Sequence, residues 1–147
     1  MSTAERGAFL EATLAAQIRA EQALHEGDVR PRLSMWSHDA PVTLFGAGTT
    51  YRSGWPDVCA TFHWVATTFT ACDEYDFEEL AADASGDLAY IVGIERYRAV
   101  KSGAVVDYKL RSTHIYRRGT EGWKIVHRHG DHMPDDASAQ PPEQSER

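Results

Sequence analysis

The residue pattern best suited to chemistry is His127-x-His129-x-Asp131, close to the end of the periodic part of the chain. Alternate side chains of an extended strand share a face, so the pattern sets two imidazoles and a carboxylate on one side. Such a trio could hold a zinc or iron ion, or could move protons near neutral pH. With no fourth ligand placed by the sequence, a hydrogen-bonded structural or proton-transfer role is preferred, and neither a metal nor any other cofactor is expected.

Glu95 lies in IVGIERY, an apolar strand context where burial raises a carboxyl pKa unless a cation answers it. Arg111 is that cation if the preceding hairpin turns through a three-residue loop at 102–104, which sets Glu95 opposite Arg111. A two-residue loop breaks that register, and both residues fit equally well as charges on the solvent face. The hairpin around GTEG poses the same question of parity. A five-residue loop sets Arg111 opposite His129 and Thr113 opposite His127, whereas a four-residue loop sends them to opposite faces. The first register is favoured because it also pairs Ile115 with Ile125. Trp36, His38 and Asp39 cluster where a helix meets a strand. Asp39 could orient His38 or a ring nitrogen elsewhere and Trp36 could wall a pocket, but a turn-capping Asp39 and a plain core Trp36 are the preferred reading.

These residues need elements to hold them. Ser2 and Glu5 have the spacing of a capping box ahead of a helix over residues 3–26 that stops at Gly27, with Leu10, Leu14 and Ile18 on one stripe. Asp28 can cap a short helix running to Trp36 with Pro31 in its first turn. PVTLF at 41–45 is strand-prone, and a third helix starts near Ser53 with Val58, Phe62, Val65, Ala66 and Phe69 at helical spacing. From residue 70 the text alternates like strands separated by DASGD, KSGA and GTEG. The expected fold is α+β, a curved antiparallel sheet wrapped around three N-terminal helices. One domain over residues 1–132 is expected, followed by a disordered acidic tail at 133–147.

Composition narrows the function classes. At 147 residues and 42% hydrophobic, the chain suffices for one packed domain. A net charge of −7 repels nucleic-acid phosphates, so no nucleic-acid partner is expected. No apolar run is long enough for a membrane span, no membrane partner is expected, and the N-terminus lacks a signal-peptide layout, so a cytoplasmic location is expected. Cys59 and Cys72, without a CxxC spacing, read as free thiols in a reducing compartment. The defining motifs of dinucleotide, P-loop, serine-hydrolase and zincin sites are missing.

The order of parts, with MWSHDAPVTLFG after the short helix, a third helix after GW, and closing strands LRSTHIYRR and GWKIVHRH, resembles the SnoaL-like, nuclear transport factor 2-like superfamily. The resemblance covers residues 3–132. It implies a cone-shaped α+β barrel with a deep pocket at its open end and frequent homodimers packed through the sheet. In ketosteroid isomerases of this superfamily the catalytic base falls at or next to the position of Leu44, where this chain has no carboxylate. The expected function is a small cofactor-independent lyase, isomerase or cyclase acting on an apolar or aromatic molecule. His129 or His127 would move a proton, Arg111 would stabilise oxyanion charge, and Trp36, Asp39, Glu95, Tyr97 and Thr113 would line the pocket. The alternative is a non-catalytic ligand-binding or dimerisation domain.

Overall fold

The computed structural model describes residues 3–134. The Ser2 cap and the tail from residue 135 onward lie outside the described residues.

Helix α1 (Thr3–Leu24) is followed by α2 (Arg30–Met35), β1 (Thr43–Phe45), β2 (Arg52–Ser53) and α3 (Trp55–Thr68). Four long strands follow: β3 (Phe69–Ser85), β4 (Leu88–Lys101), β5 (Ala104–Gly119) and β6 (Gly122–His132). The stripe that α1 buries is Phe9, Thr13, Gln17, Ala20, Glu21 and Leu24, rotated from the expected Leu10, Leu14 and Ile18. Asp28 does not cap α2 at the Ncap position, which is Val29. Its carboxylate instead accepts the Arg30 N–H at 3.1 Å. In α3, Val58, Phe62 and Ala66 face inward as their spacing requires.

The six strands form one open sheet in the order β2-β1-β6-β5-β4-β3, antiparallel except where β1 runs parallel to β6. Helix α1 packs on β3 and α2 within the sheet's concave side. Strand β3 carries register shifts at three places against β4, and each bulge adds bend and twist. Gly93 lies beneath one of these bends. A Cβ there would collide with the Glu78 carbonyl and the Phe77 ring, so only glycine lets β3 press this close to β4. The main core joins Phe9, Trp36, Val42, Phe62, Ile91, Tyr116 and Ile125. A second cluster, around Phe69, Tyr97, Ala99 and Leu110, packs nearer the cone's mouth.

Both undecided hairpins turn through two residues. Lys101 pairs with Ala104, and Ser102 and Gly103 take φ of 52° and 84°, as a tight hairpin turn of this hand demands. Glu95 therefore faces Leu110, while Arg111 faces Ile94 across the ladder, so the expected Glu95–Arg111 pair does not form. In the last hairpin Gly119 pairs with Gly122, and one residue is then inserted at Val126. Past this bulge Ile115 opposes His127, Thr113 opposes His129 and Arg111 opposes Asp131. The favoured register is thus displaced by two residues but keeps its parity, and the extra residue lets both Ile125 and Arg128 face the core.

Candidate functional site

Inside the cone, on the face that carries Glu95 and Tyr97, the structure assembles a buried charged cluster. Glu21 of α1, Arg32 of α2, Glu95 of β4, His114 of β5 and Arg128 of β6 are each 5% exposed or less. Arg32 forks onto Glu21, with Nε 3.1 Å from Oε2 and Nη2 on Oε1. Arg128 forks onto Glu95 with Nη2 2.6 Å from Oε1 and Nη1 3.2 Å from Oε2, and it reaches Glu21 at 3.6 Å. Tyr75 donates its hydroxyl to Glu95 at 2.6 Å. Two cations therefore meet two anions, as charges removed from water require.

Local sequence explains the arrangement. Phe9, Thr13, Gln17 and Glu21 recur every fourth residue and Leu24 follows, so Glu21 lies in the inward stripe of α1. Arg128 turns inward because of the Val126 bulge and folds over Gly130, where a Cβ would stand 2.7 Å from its Nη2 and 3.2 Å from its Cζ.

Burial by itself would raise both carboxyl groups, but Arg32 and Arg128 hold Glu21 well below the usual carboxylate range, and Arg128 holds Glu95 below it. The imidazoles go the other way. Burial lowers His25 to about 4 against the pull of Glu21 and Glu95, and burial together with Arg128 lowers His114 to about 3. Both rings are neutral at pH 7. His25 Nδ1 lies 2.5 Å from the Glu21 carbonyl oxygen, which makes Nδ1 the protonated nitrogen and Nε2 the basic one. His114 Nε2 accepts from Arg128 Nη1 at 3.2 Å. Burial, then Glu95, raises the Tyr97 phenol, so it stays a proton donor.

Through Arg32 and Arg128 this cluster reaches the floor of a cavity of about 130 Å³. His25, Arg32, Tyr97 and Arg128, with Thr61, Thr68 and Tyr108, are among its polar lining; Leu44, Phe62, Val65, Phe69 and Leu110 are apolar walls. The ring centroids of His25 and Tyr97 are 4.0 Å apart. At the mouth stand the 46–49 loop, Trp64 and Lys101, the last held over the Phe69 and Tyr108 rings at 5.6 and 5.5 Å.

The other residues singled out in the sequence lie elsewhere. His127, His129, Arg111, Thr113 and Asp131 do share a face, but it is the outer, solvent side of the sheet. Arg111 and His129 are 54% and 49% exposed in their side chains. Arg111 grips Asp131 at 2.8 and 3.0 Å, holding that carboxyl below its ordinary range, and His127 Nδ1 meets Thr43 Oγ1 at 2.8 Å. Asp131 is spent on an arginine. Among the described residues no group of three or more His, Cys, Asp or Glu could hold a metal ion. Trp36 is 1% exposed and packs edge-on to Phe62 in the main core, behind that cavity wall and not in the lining. Asp39 is exposed at the surface, and neighbouring His38 stacks on Trp55. Cys59 and Cys72 are half-buried free thiols.

Sequence reading missed Glu21, His25, Arg32, Tyr75, His114 and Arg128. The available signal was Glu21 four residues beyond Gln17 on the Phe9 stripe, with His25 four further on. Arg128 before Gly130 was masked by its two histidine neighbours.

An open curved sheet closed over helices around one inner cavity is the cone-shaped α+β fold. Residues 12–135 match the family described as the SnoaL-like domain, and the chain belongs to that family. Among solved structures it is similar to a candidate dehydratase of the NTF2-like family from Streptomyces avermitilis, at 18% identity and TM-score 0.74, over 87% of this chain and 98% of that one. An NTF2-like protein of unknown function from Pseudomonas putida is 23% identical, with TM-score 0.71, over 100% and 99% of the two chains. A ketosteroid isomerase-like protein from Erwinia carotovora is 18% identical, with TM-score 0.69, over 86% and 95%. At these identities the likeness is one of fold. No curated protein matches the chain. Among the described residues, no helix is long and apolar enough to cross a membrane.

Proposed function

We propose that the chain is a cofactor-independent enzyme of the isomerase or dehydratase kind, with His25 as the group that moves the proton. One observation carries this reading: a neutral imidazole, tied by Nδ1 to the Glu21 carbonyl, opens with Tyr97 and Arg32 onto one apolar cavity. His25 Nε2 takes a proton from the carbon beside a substrate carbonyl. Tyr97 O–H and an Arg32 N–H donate to the oxygen as negative charge develops there. The imidazolium then returns its proton, to another carbon in an isomerisation or to a departing hydroxyl, which leaves as water, in a dehydration. The cavity of about 130 Å³ suits a single ring or short chain, since an apolar cavity of about 150 Å³ holds one benzene.

The test is hydrogen–deuterium exchange beside the carbonyl of small cyclic ketones, followed by NMR in heavy water. Wild type accelerates exchange and His25→Asn does not. Equal rates in both remove His25 from the role. The second reading, a non-catalytic ligand-binding domain, draws on the commitment of both inner carboxylates to arginines and on buried Leu44: among the described residues no carboxylate lines the cavity as a base. Saturable binding without exchange favours it.

The outer sheet face is proposed to pack in a homodimer. Supporting this, Phe45, Tyr90 and Ile115 are 43%, 41% and 36% exposed there, with Phe45 against His127 and His129. Light scattering gives the subunit count. The free thiols support a reducing, cytoplasmic setting.

A further inference from the structure

The charge balance of the cavity floor restricts what can bind. Arg32 spends Nε and Nη2 on Glu21, and Arg128 spends both Nη groups on Glu95. Just past the end of α1, His25 faces the cavity; from β5, His114 lies behind Arg128. Tyr75 and Tyr97 approach from β3 and β4, and neither phenol carries charge. His132 and Lys101 stand at the rim, where water screens them. Among the described residues, a carboxylate brought to this floor would find no unpaired cation, and it would lose its hydration. An uncharged carbonyl or amide oxygen needs only a donor. Arg32 Nη1, used in neither bond to Glu21, and the Tyr97 hydroxyl can provide one.

We infer that the inner cavity selects uncharged ligands of single-ring size, and that Glu21 sets this selection by neutralising Arg32. The inference rests on the cavity being the ligand site, and it holds whether or not His25 does chemistry there. It makes Glu21 a specificity-determining residue rather than a catalytic one.

Benzamide and benzoate have nearly the same shape and differ in charge, so their affinities for the full chain, measured by titration calorimetry near pH 7.5, test the point. Wild type binds benzamide and binds benzoate on the order of a hundredfold more weakly. Glu21→Gln releases Arg32 and reverses the order. Glu95→Gln, which releases Arg128, does the same and serves if the first variant fails to fold by circular dichroism. Benzoate binding to wild type within about tenfold of benzamide overturns the inference, as does an unchanged preference in a folded Glu21→Gln or Glu95→Gln protein. Failure of both probes to bind any of the proteins overturns it together with the cavity reading. Preference for benzamide without deuterium exchange leaves the inference standing and removes only the catalytic proposal.

Discussion

Acid should unfold this protein earlier than its surface composition suggests. His25 titrates near 4 and His114 near 3 in the fold, against an ordinary 6.5. In the unfolded chain both recover the ordinary value and take up protons as the pH drops below it. The unfolded state then binds more protons, so stability falls with falling pH through the window from 6.5 down to the folded values. Near pH 5 each ring has cost about 2 kcal/mol, at 1.36 kcal/mol per pH unit, and the pair about 4 kcal/mol. A domain of this size has on the order of 10 kcal/mol in total. Glu21 and Glu95 are held below the ordinary 4.5, so they lose their contribution only as the pH falls further, and add to the destabilisation there. Urea unfolding at about pH 7.5 and about pH 5 reads the difference directly, with unchanged slope confirming the same transition. Midpoints that coincide would refute the claim that these imidazoles are buried and neutral.

Further substitutions probe the same architecture. Arg128→Met strands the Glu95 carboxylate with Tyr75 alone and should cost about 3–5 kcal/mol by urea unfolding at neutral pH; adding Glu95→Leu should recover most of it. Gly130→Ala places a methyl 2.7 Å from Arg128 Nη2 and should lower stability by about 1–3 kcal/mol, a loss that thermal unfolding would register. His129→Ala and Arg111→Ala, both on the outer face, should leave benzamide affinity within about twofold of wild type. A large loss in either would return the site to the outer sheet.

The alternation of the long strands, the turn residues between them and the inward stripe of α3 are local properties, legible because each element's period reflects the face it must bury. The α+β architecture followed, and the order of parts together with the closing strands suggested the superfamily. Parity was different. Whether Glu95 met Arg111 depended on one residue in the turn at Ser102–Gly103, and the facing of Arg128 depended on one extra residue at Val126. Neither is encoded in hydrophobic pattern, because Leu110-Ser112-His114-Tyr116 and Arg111-Thr113-Ile115-Arg117 both mix polar and apolar side chains.

By itself the sequence determined which strands and helices form and that charged and imidazole groups are interleaved among them. Only the tertiary structure decided which of those groups went inside. Glu21, Arg32, Glu95 and Arg128 come from separate elements, and each is tolerable in the core only because the others neutralise it. That compensation exists once the helices lie within the curved sheet, so no single element could announce it. The HxHxD pattern, conspicuous as text, went outward because a bulge hands the inward place on β6 to the arginine between its histidines.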